Sequence, residues 1–128
     1  HISFKSNLDK AFLECDNEQL SRVFLNLIKN SIESIQEKSQ NFNDYNKKIA
    51  IELIDKDSQI DIIITDNGIG FSNNNKNVKE LLNPYITTKK NGSGLGLSIV
   101  NKIVNDHNGK IEFIPSDEGA KIKIIFTR

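Results

Sequence analysis

Gln59-Ile60-Asp61-Ile62-Ile63-Ile64-Thr65, followed at once by Asp66-Asn67-Gly68-Ile69-Gly70, is an isoleucine-rich run that stops in a turn signal. The pattern predicts a strand whose end carries an aspartate and two glycines spaced by one residue. Just upstream, Lys48-Ile49-Ala50-Ile51-Glu52-Leu53-Ile54 is a second alternating run, and Asp55-Lys56-Asp57-Ser58 joins the two as an antiparallel hairpin. Before the hairpin lies a polar stretch, Gln36 to Lys48, that reads as a loop. A helix precedes it. Asp16-Asn17-Glu18-Gln19 sets an aspartate three residues before a glutamine, a helix-start signal, and Leu20, Phe24, Leu27, Ile28, Ile32 and Ile35 follow at helical spacing to about Lys38. The opening His1 to Glu14 alternates loosely and reads as one strand or two short ones. Downstream, a polar stretch from Ser72 to Lys79 reads as a loop, and a short helix is expected over Val78 to Leu82, stopped by Pro84. A second long helix should begin right after the cluster Gly92 to Gly96 and end at Asn108-Gly109. Two more strands, Lys110 to Ile114 and Lys121 to Phe126, flank the turn Pro115 to Gly119. The order strand, helix, strand, strand, helix, strand, strand predicts a mixed sheet with helices packed on one face, an α/β two-layer sandwich.

The chain has 128 residues, 17 basic and 17 acidic side chains, one cysteine and two histidines. That length fits a single domain, residues 1–128, able to bury a core without disulfides or a structural metal. Cys15 cannot form an internal bridge, which fits a reducing compartment, and two histidines with one cysteine cannot build the usual zinc cluster. The balanced charge excludes a generally basic nucleic-acid binder. No apolar run approaches the roughly 20 residues needed to span a bilayer, and the N-terminus lacks a signal-peptide pattern, so a soluble chain is expected.

Three constellations carry chemistry. On the first helix, Asn26, Asn30, Glu33 and Glu37 form a stripe apart from the apolar arc. Its amide oxygens suit a hard cation such as Mg²⁺ holding phosphates, and the same stripe equally fits the solvated side of an amphipathic helix. Asp66 at the strand end can accept a hydrogen bond from an exocyclic amine such as adenine N6, and Gly68 and Gly70 let the backbone approach a ligand. The alternative is an ordinary strand-terminating Asp-Asn-Gly turn. Gly92-Ser93-Gly94-Leu95-Gly96-Leu97 opens the second helix, where backbone N–H groups and the helix dipole favour a phosphate. It fits neither the P-loop nor the dinucleotide fingerprint. About twenty residues separate these two glycine-rich segments, long enough to be a lid over a nucleotide or a disordered loop.

In this order and spacing the motifs resemble the ATP-binding catalytic domain of bacterial sensor histidine kinases, within the superfamily of gyrase B, Hsp90 and MutL. Asn26-Leu27-Ile28-Lys29-Asn30-Ser31-Ile32-Glu33 resembles the family's N box and Asp66-Asn67-Gly68-Ile69-Gly70 its G1 box. Asn83-Pro84-Tyr85-Ile86-Thr87-Thr88-Lys89 resembles its F box, and Gly92-Ser93-Gly94-Leu95-Gly96-Leu97 its G2 box. The Pro-Tyr-Ile-Thr-Thr-Lys form and the tail Ile103 to Gly109 look closest to the nitrogen-regulation type.

The resemblance implies the Bergerat, or GHKL, ATP-binding fold, with ATP and Mg²⁺ as cofactors. It makes Asn26 and Asn30 catalytic, with Asn30 the Mg²⁺ ligand and Asn26 supporting metal and phosphates. Asp66 would bind the adenine amine, with Gly68 and Gly70 letting the backbone reach the base. Tyr85, Thr87, Thr88 and Lys89 would belong to the lid. Gly92, Gly94, Leu95, Gly96 and Leu97 would lie by the nucleotide, and Lys29 would reach a phosphate or remain solvated. Tyr85 stands where the family usually has phenylalanine. Neither His1 nor His107 has the acidic follower of a phosphoacceptor, so the expected partners are the parent's own dimerisation and phosphoacceptor domain and a response regulator. No nucleic-acid partner is expected. The isolated domain should be monomeric and cytoplasmic, its parent a homodimer that in many relatives is anchored in the inner membrane. Two other members of the superfamily compete. A gyrase- or Hsp90-like ATPase would carry a glutamate base four residues before the metal-binding asparagine, where this chain has Asn26, an amide unable to take a proton from water. An anti-sigma-type serine kinase should depart from the Gly-x-Gly-Leu-Gly-Leu form.

Overall fold

In the computed structural model, residues 2–6, 15–40, 45–70, 96–116 and 118–127 are described, the first five by their backbone alone. Seven elements follow the expected order: β1 (Ile2–Ser6), α1 (Asn17–Ser39), β2 (Ile49–Asp55), β3 (Gln59–Asp66), α2 (Gly96–Asp106), β4 (Gly109–Phe113) and β5 (Lys121–Thr127). The short helix expected over Val78 to Leu82 lies outside the described residues.

Helix α1 starts where Asp16 stands in extended backbone and its carboxylate accepts hydrogen bonds from the N–H groups of Glu18 and Gln19. Helix α2 stops because Asn108 adopts a left-handed conformation, φ +58°, which asparagine tolerates better than branched residues do. Gly109 then opens β4 one residue earlier than the alternation suggested. The ends of the two helices are tied together. Asp16 N–H donates to His107 Nε2 at 3.0 Å, while His107 Nδ1 lies 2.8 Å from the Ile103 carbonyl. Because Nε2 accepts, the ring proton sits on Nδ1 and donates to Ile103 O.

The strands form one mixed sheet in the order β1-β2-β3-β5-β4, with β1 parallel to β2 and every other pair antiparallel. Register decides which face is the core. Ile60, Ile62 and Ile64 of β3 and Ile122, Ile124 and Phe126 of β5 alternate onto one face. There they pack with Leu20, Val23 and Leu27 of α1 and Val100, Ile103 and Val104 of α2. Both helices thus lie on one side of the sheet, the two-layer sandwich the element order predicts. The apolar arc of α1 is wider than its buried face. Ile32, counted on that arc, is 40% exposed, and Leu25 is 69% exposed. Among the described residues no helix is long and apolar enough to cross a membrane.

Candidate functional site

One ridge of α1 organises the site. Asn26, Asn30, Ser34 and Lys38 follow each other at intervals of four, so their side chains line up along the helix. Asn26 and Asn30 are half-buried and Ser34 is buried. A Cβ placed on Gly96, the first residue of α2, would stand 3.6 Å from Asn30 Oδ1 and 3.8 Å from its Nδ2. The N-terminus of α2 therefore opens beside the Asn30 carboxamide.

One turn further along, Ser34 meets the turn after β3. Its hydroxyl oxygen accepts a hydrogen bond from Ile69 N–H at 2.9 Å. A Cβ on Gly68 would overlap the Ser34 hydroxyl and come within 2.6 Å of the Ser34 carbonyl carbon, so only glycine lets the turn approach this closely. The helix end closes the sequence: Lys38 Nζ donates to the carbonyl of Asn67 at 3.1 Å.

The turn itself is held from every side. Asp66 is buried, and its Oδ1 accepts from Gly68 N–H at 2.9 Å and from Ala120 N–H at 3.4 Å. Asp66 N–H donates to Ala120 O at 2.9 Å, which extends the β3–β5 pairing by one residue. Asn67 binds the chain leading into β2: its Oδ1 accepts from Lys48 N–H at 2.8 Å and its Nδ2 donates to Asn46 O at 2.6 Å. Gly70, at φ +73°, lies so near the turn between β4 and β5 that a Cβ there would sit 2.6 Å from Gly119 O.

Of the remaining expected residues, Lys29 and Leu97 are described. Lys29 is largely exposed, with Nζ 4.0 Å from Glu33 Oε1. Leu97 is half-buried and packs against the core. Tyr85, Thr87, Thr88, Lys89, Gly92, Gly94 and Leu95 lie outside the described residues. Ser34 and Lys38 carry no motif label, and the signal that could have found them is their spacing of four from Asn26 and Asn30. An open cavity of about 570 Å³ is lined by Lys38, Tyr45, Lys48, Ala50, Asp66 and Glu118 among others. Asn26, Asn30 and Gly96 do not line it, so it lies apart from the place where α1 meets α2.

Among the described residues no group of three or more His, Cys, Asp or Glu side chains could hold a metal. A carboxamide oxygen beside a helix N-terminus is a different donor set. It fits a hard cation that brings most of its ligands as phosphate and water oxygens.

The architecture is shared with known proteins. The catalytic domain of histidine kinase ThkA, nucleotide-free, superimposes with a TM-score of 0.80 at 28% identity, over 98% of this chain and 77% of that one. An NtrY-like sensor histidine kinase of Rickettsia prowazekii is 38% identical over 125 residues, 97% of this chain and 20% of its own length. The nitrogen regulation protein NtrY of Azorhizobium caulinodans is 36% identical over 112 residues, 85% of this chain and 14% of its own. The chain thus spans a fifth or less of these two relatives. Residues 15–128 match the family described as histidine kinase-, DNA gyrase B-, and HSP90-like ATPase, and with the Asp66–Gly70 turn and the N-terminus of α2 both brought against one ridge of α1, the chain belongs to that family.

Proposed function

We propose that residues 1–128 form the catalytic domain of a sensor histidine kinase, which binds Mg·ATP between α1, the Asp66–Gly70 turn and the N-terminus of α2. It would present the γ-phosphate to a histidine on a separate dimerisation domain, for relay to a response regulator. The observation that carries this reading is the convergence on α1: the Asn30 carboxamide stands beside Gly96, while Ser34, one turn on, holds Ile69. A single rigid element thereby sets the distance between a base-binding carboxylate and a phosphate-binding helix end.

In this reading the residues take the roles that the family resemblance implies. Asp66 accepts the exocyclic amine of adenine, its Oδ1 steadied by Gly68 and Ala120. Asn30 offers an amide oxygen to Mg²⁺, and Asn26 supports the phosphates from the preceding turn. The cation supplies neutralisation of phosphate charge. Backbone N–H groups at the start of α2 face the phosphates with the positive end of the helix dipole. Catalysis then consists of positioning and charge stabilisation, the general pattern of phosphoryl transfer.

Asn26 also separates this reading from that of an ATP-driven clamp. A carboxamide cannot remove a proton from water, so the domain should hold ATP without hydrolysing it quickly. The purified chain is expected to bind ATP and to turn it over far more slowly than once per second, against the ordinary enzyme scale of roughly 1–10³ per second. A phosphate-release assay decides. Sustained hydrolysis on that ordinary scale would favour the ATPase reading instead. The relatives named for nitrogen regulation support a role in that type of two-component signalling. In this reading the parent would be a homodimer anchored in the inner membrane, with this domain on the cytoplasmic side.

A further inference from the structure

Lys38 ends the ridge that carries Asn26, Asn30 and Ser34, yet it lies outside the stretches that resemble the N, G1, F and G2 boxes. Among the described residues its Nζ contacts Asn67 O at 3.1 Å and the face of the Tyr45 ring, 4.7 Å from the centroid. Tyr45 is fixed in turn, its hydroxyl donating to Ile35 O at 3.0 Å. The ammonium is therefore held in place from below by an aromatic face that is itself bonded to α1.

The carbonyl that Lys38 binds belongs to the peptide unit whose N–H is that of Gly68, and this N–H donates to Asp66 Oδ1 at 2.9 Å. Ammonium, peptide and carboxylate form one chain of hydrogen bonds. A positive charge on the carbonyl polarises the amide and strengthens its N–H as a donor. The effect arrives at the carboxylate that the proposed function assigns to adenine. We propose that Lys38 is a positioning residue that acts through the 67–68 peptide to fix the Asp66 carboxylate, and so sets the preference for adenine over a purine lacking the exocyclic amine. This rests on the adenine reading of Asp66.

The fold does not depend on Lys38 for the turn. Asn67 is bonded three times to residues 46 and 48, and Ser34 holds Ile69 independently. Loss of the ammonium should therefore loosen the orientation of one carboxylate without releasing the loop.

The test titrates the purified chain with ATP and with inosine triphosphate, whose base has no exocyclic amine, using wild type, Lys38→Met, Lys38→Arg and Asp66→Asn, with circular dichroism to confirm folding. Wild type should prefer ATP. Lys38→Met should lose about 5- to 30-fold in ATP affinity and little for the inosine nucleotide, so that its selectivity falls toward that of Asp66→Asn. Lys38→Arg, which keeps a charged donor, should restore the preference. If Lys38→Met does not fold, Lys38→Gln reads the same effect, since it keeps a neutral donor and should give an intermediate ratio. A Lys38→Met or Lys38→Gln variant that is folded and keeps the wild-type ratio, or loses both nucleotides equally, would overturn the proposal while leaving the adenine site intact. A wild type that binds both nucleotides alike would overturn the adenine reading, and this proposal with it.

Discussion

Asp61 is a fully buried carboxylate on the sheet face turned away from the helices, and three neighbours keep it charged. Lys56 Nζ lies at 2.7 Å and Lys123 Nζ at 3.4 Å from its Oδ2, and Gln59 Nε2 donates to Oδ1 at 2.9 Å. Burial pushes its carboxyl up, but Lys56, Gln59 and Lys123 together outweigh burial and hold it below the ordinary aspartate value of 3.8. The folded chain then binds fewer protons here than the unfolded chain does as pH approaches 3.8. The stability Asp61 contributes is present above that value and is lost as pH falls through its lower folded value. Urea denaturation at pH 6 and pH 3 should show a smaller loss of stability on acidification for Asp61→Asn than for wild type; an equal loss would remove Asp61 from the account. Gly68→Ala should cost about 1–3 kcal/mol in the same assay, because the added carbon meets Ser34 backbone that cannot swing aside. At this scale the sequence was legible only in part. Asp66, Gly68 and Gly70 could be singled out because a strand ends beside them. The spacing of four puts Ser34 and Lys38 on the ridge of Asn26 and Asn30, but what they bind was not legible, since their partners are backbone atoms 35 and 29 residues away. No periodicity encodes such a contact.

Helix α1 is legible because its signals are local: an aspartate cap, apolar spacing, and a polar stretch at its end. The expected stop at Lys38 and the observed one at Ser39 differ by a single residue. The hairpin β2–β3 was equally readable, its turn closing at Lys56 and Gln59. The parallel pairing of β1 with β2 was not, because a parallel neighbour is set by the crossover that α1 provides and leaves no turn signature. The bond from Asp16 to His107 spans 91 residues and was invisible for the same reason. Two variants separate the local cap from the distant tie. Asp16→Ala should cost about 1 kcal/mol through the lost carboxylate cap. His107→Ala should cost about 1–2 kcal/mol, since it leaves Asp16 N–H without its acceptor and removes an edge contact with Phe126, whose ring centroid is 6.5 Å away. Urea denaturation of both variants checks this, and an unchanged midpoint for His107→Ala would mean the tie contributes nothing.

At the scale of the whole molecule, the fold gathers three distant motifs onto one helix. The sheet contributes the Asp66 turn, α2 contributes its N-terminus, and α1 runs between them with Asn30 and Ser34 one turn apart. The four-residue ridge makes the distance between the Asp66–Gly70 turn and the N-terminus of α2 a property of helix geometry. The central claim is that this arrangement is a Mg·ATP site, and calorimetric titration of ATP with and without Mg²⁺, on wild type, Asn30→Ala and Asp66→Asn, tests it most directly. Wild type should bind one ATP with an affinity that Mg²⁺ raises. Asn30→Ala should abolish most of the Mg²⁺ effect, and Asp66→Asn should weaken ATP with or without the cation. A folded wild type that binds no ATP, or an Asn30→Ala variant with the full Mg²⁺ effect, would contradict the account.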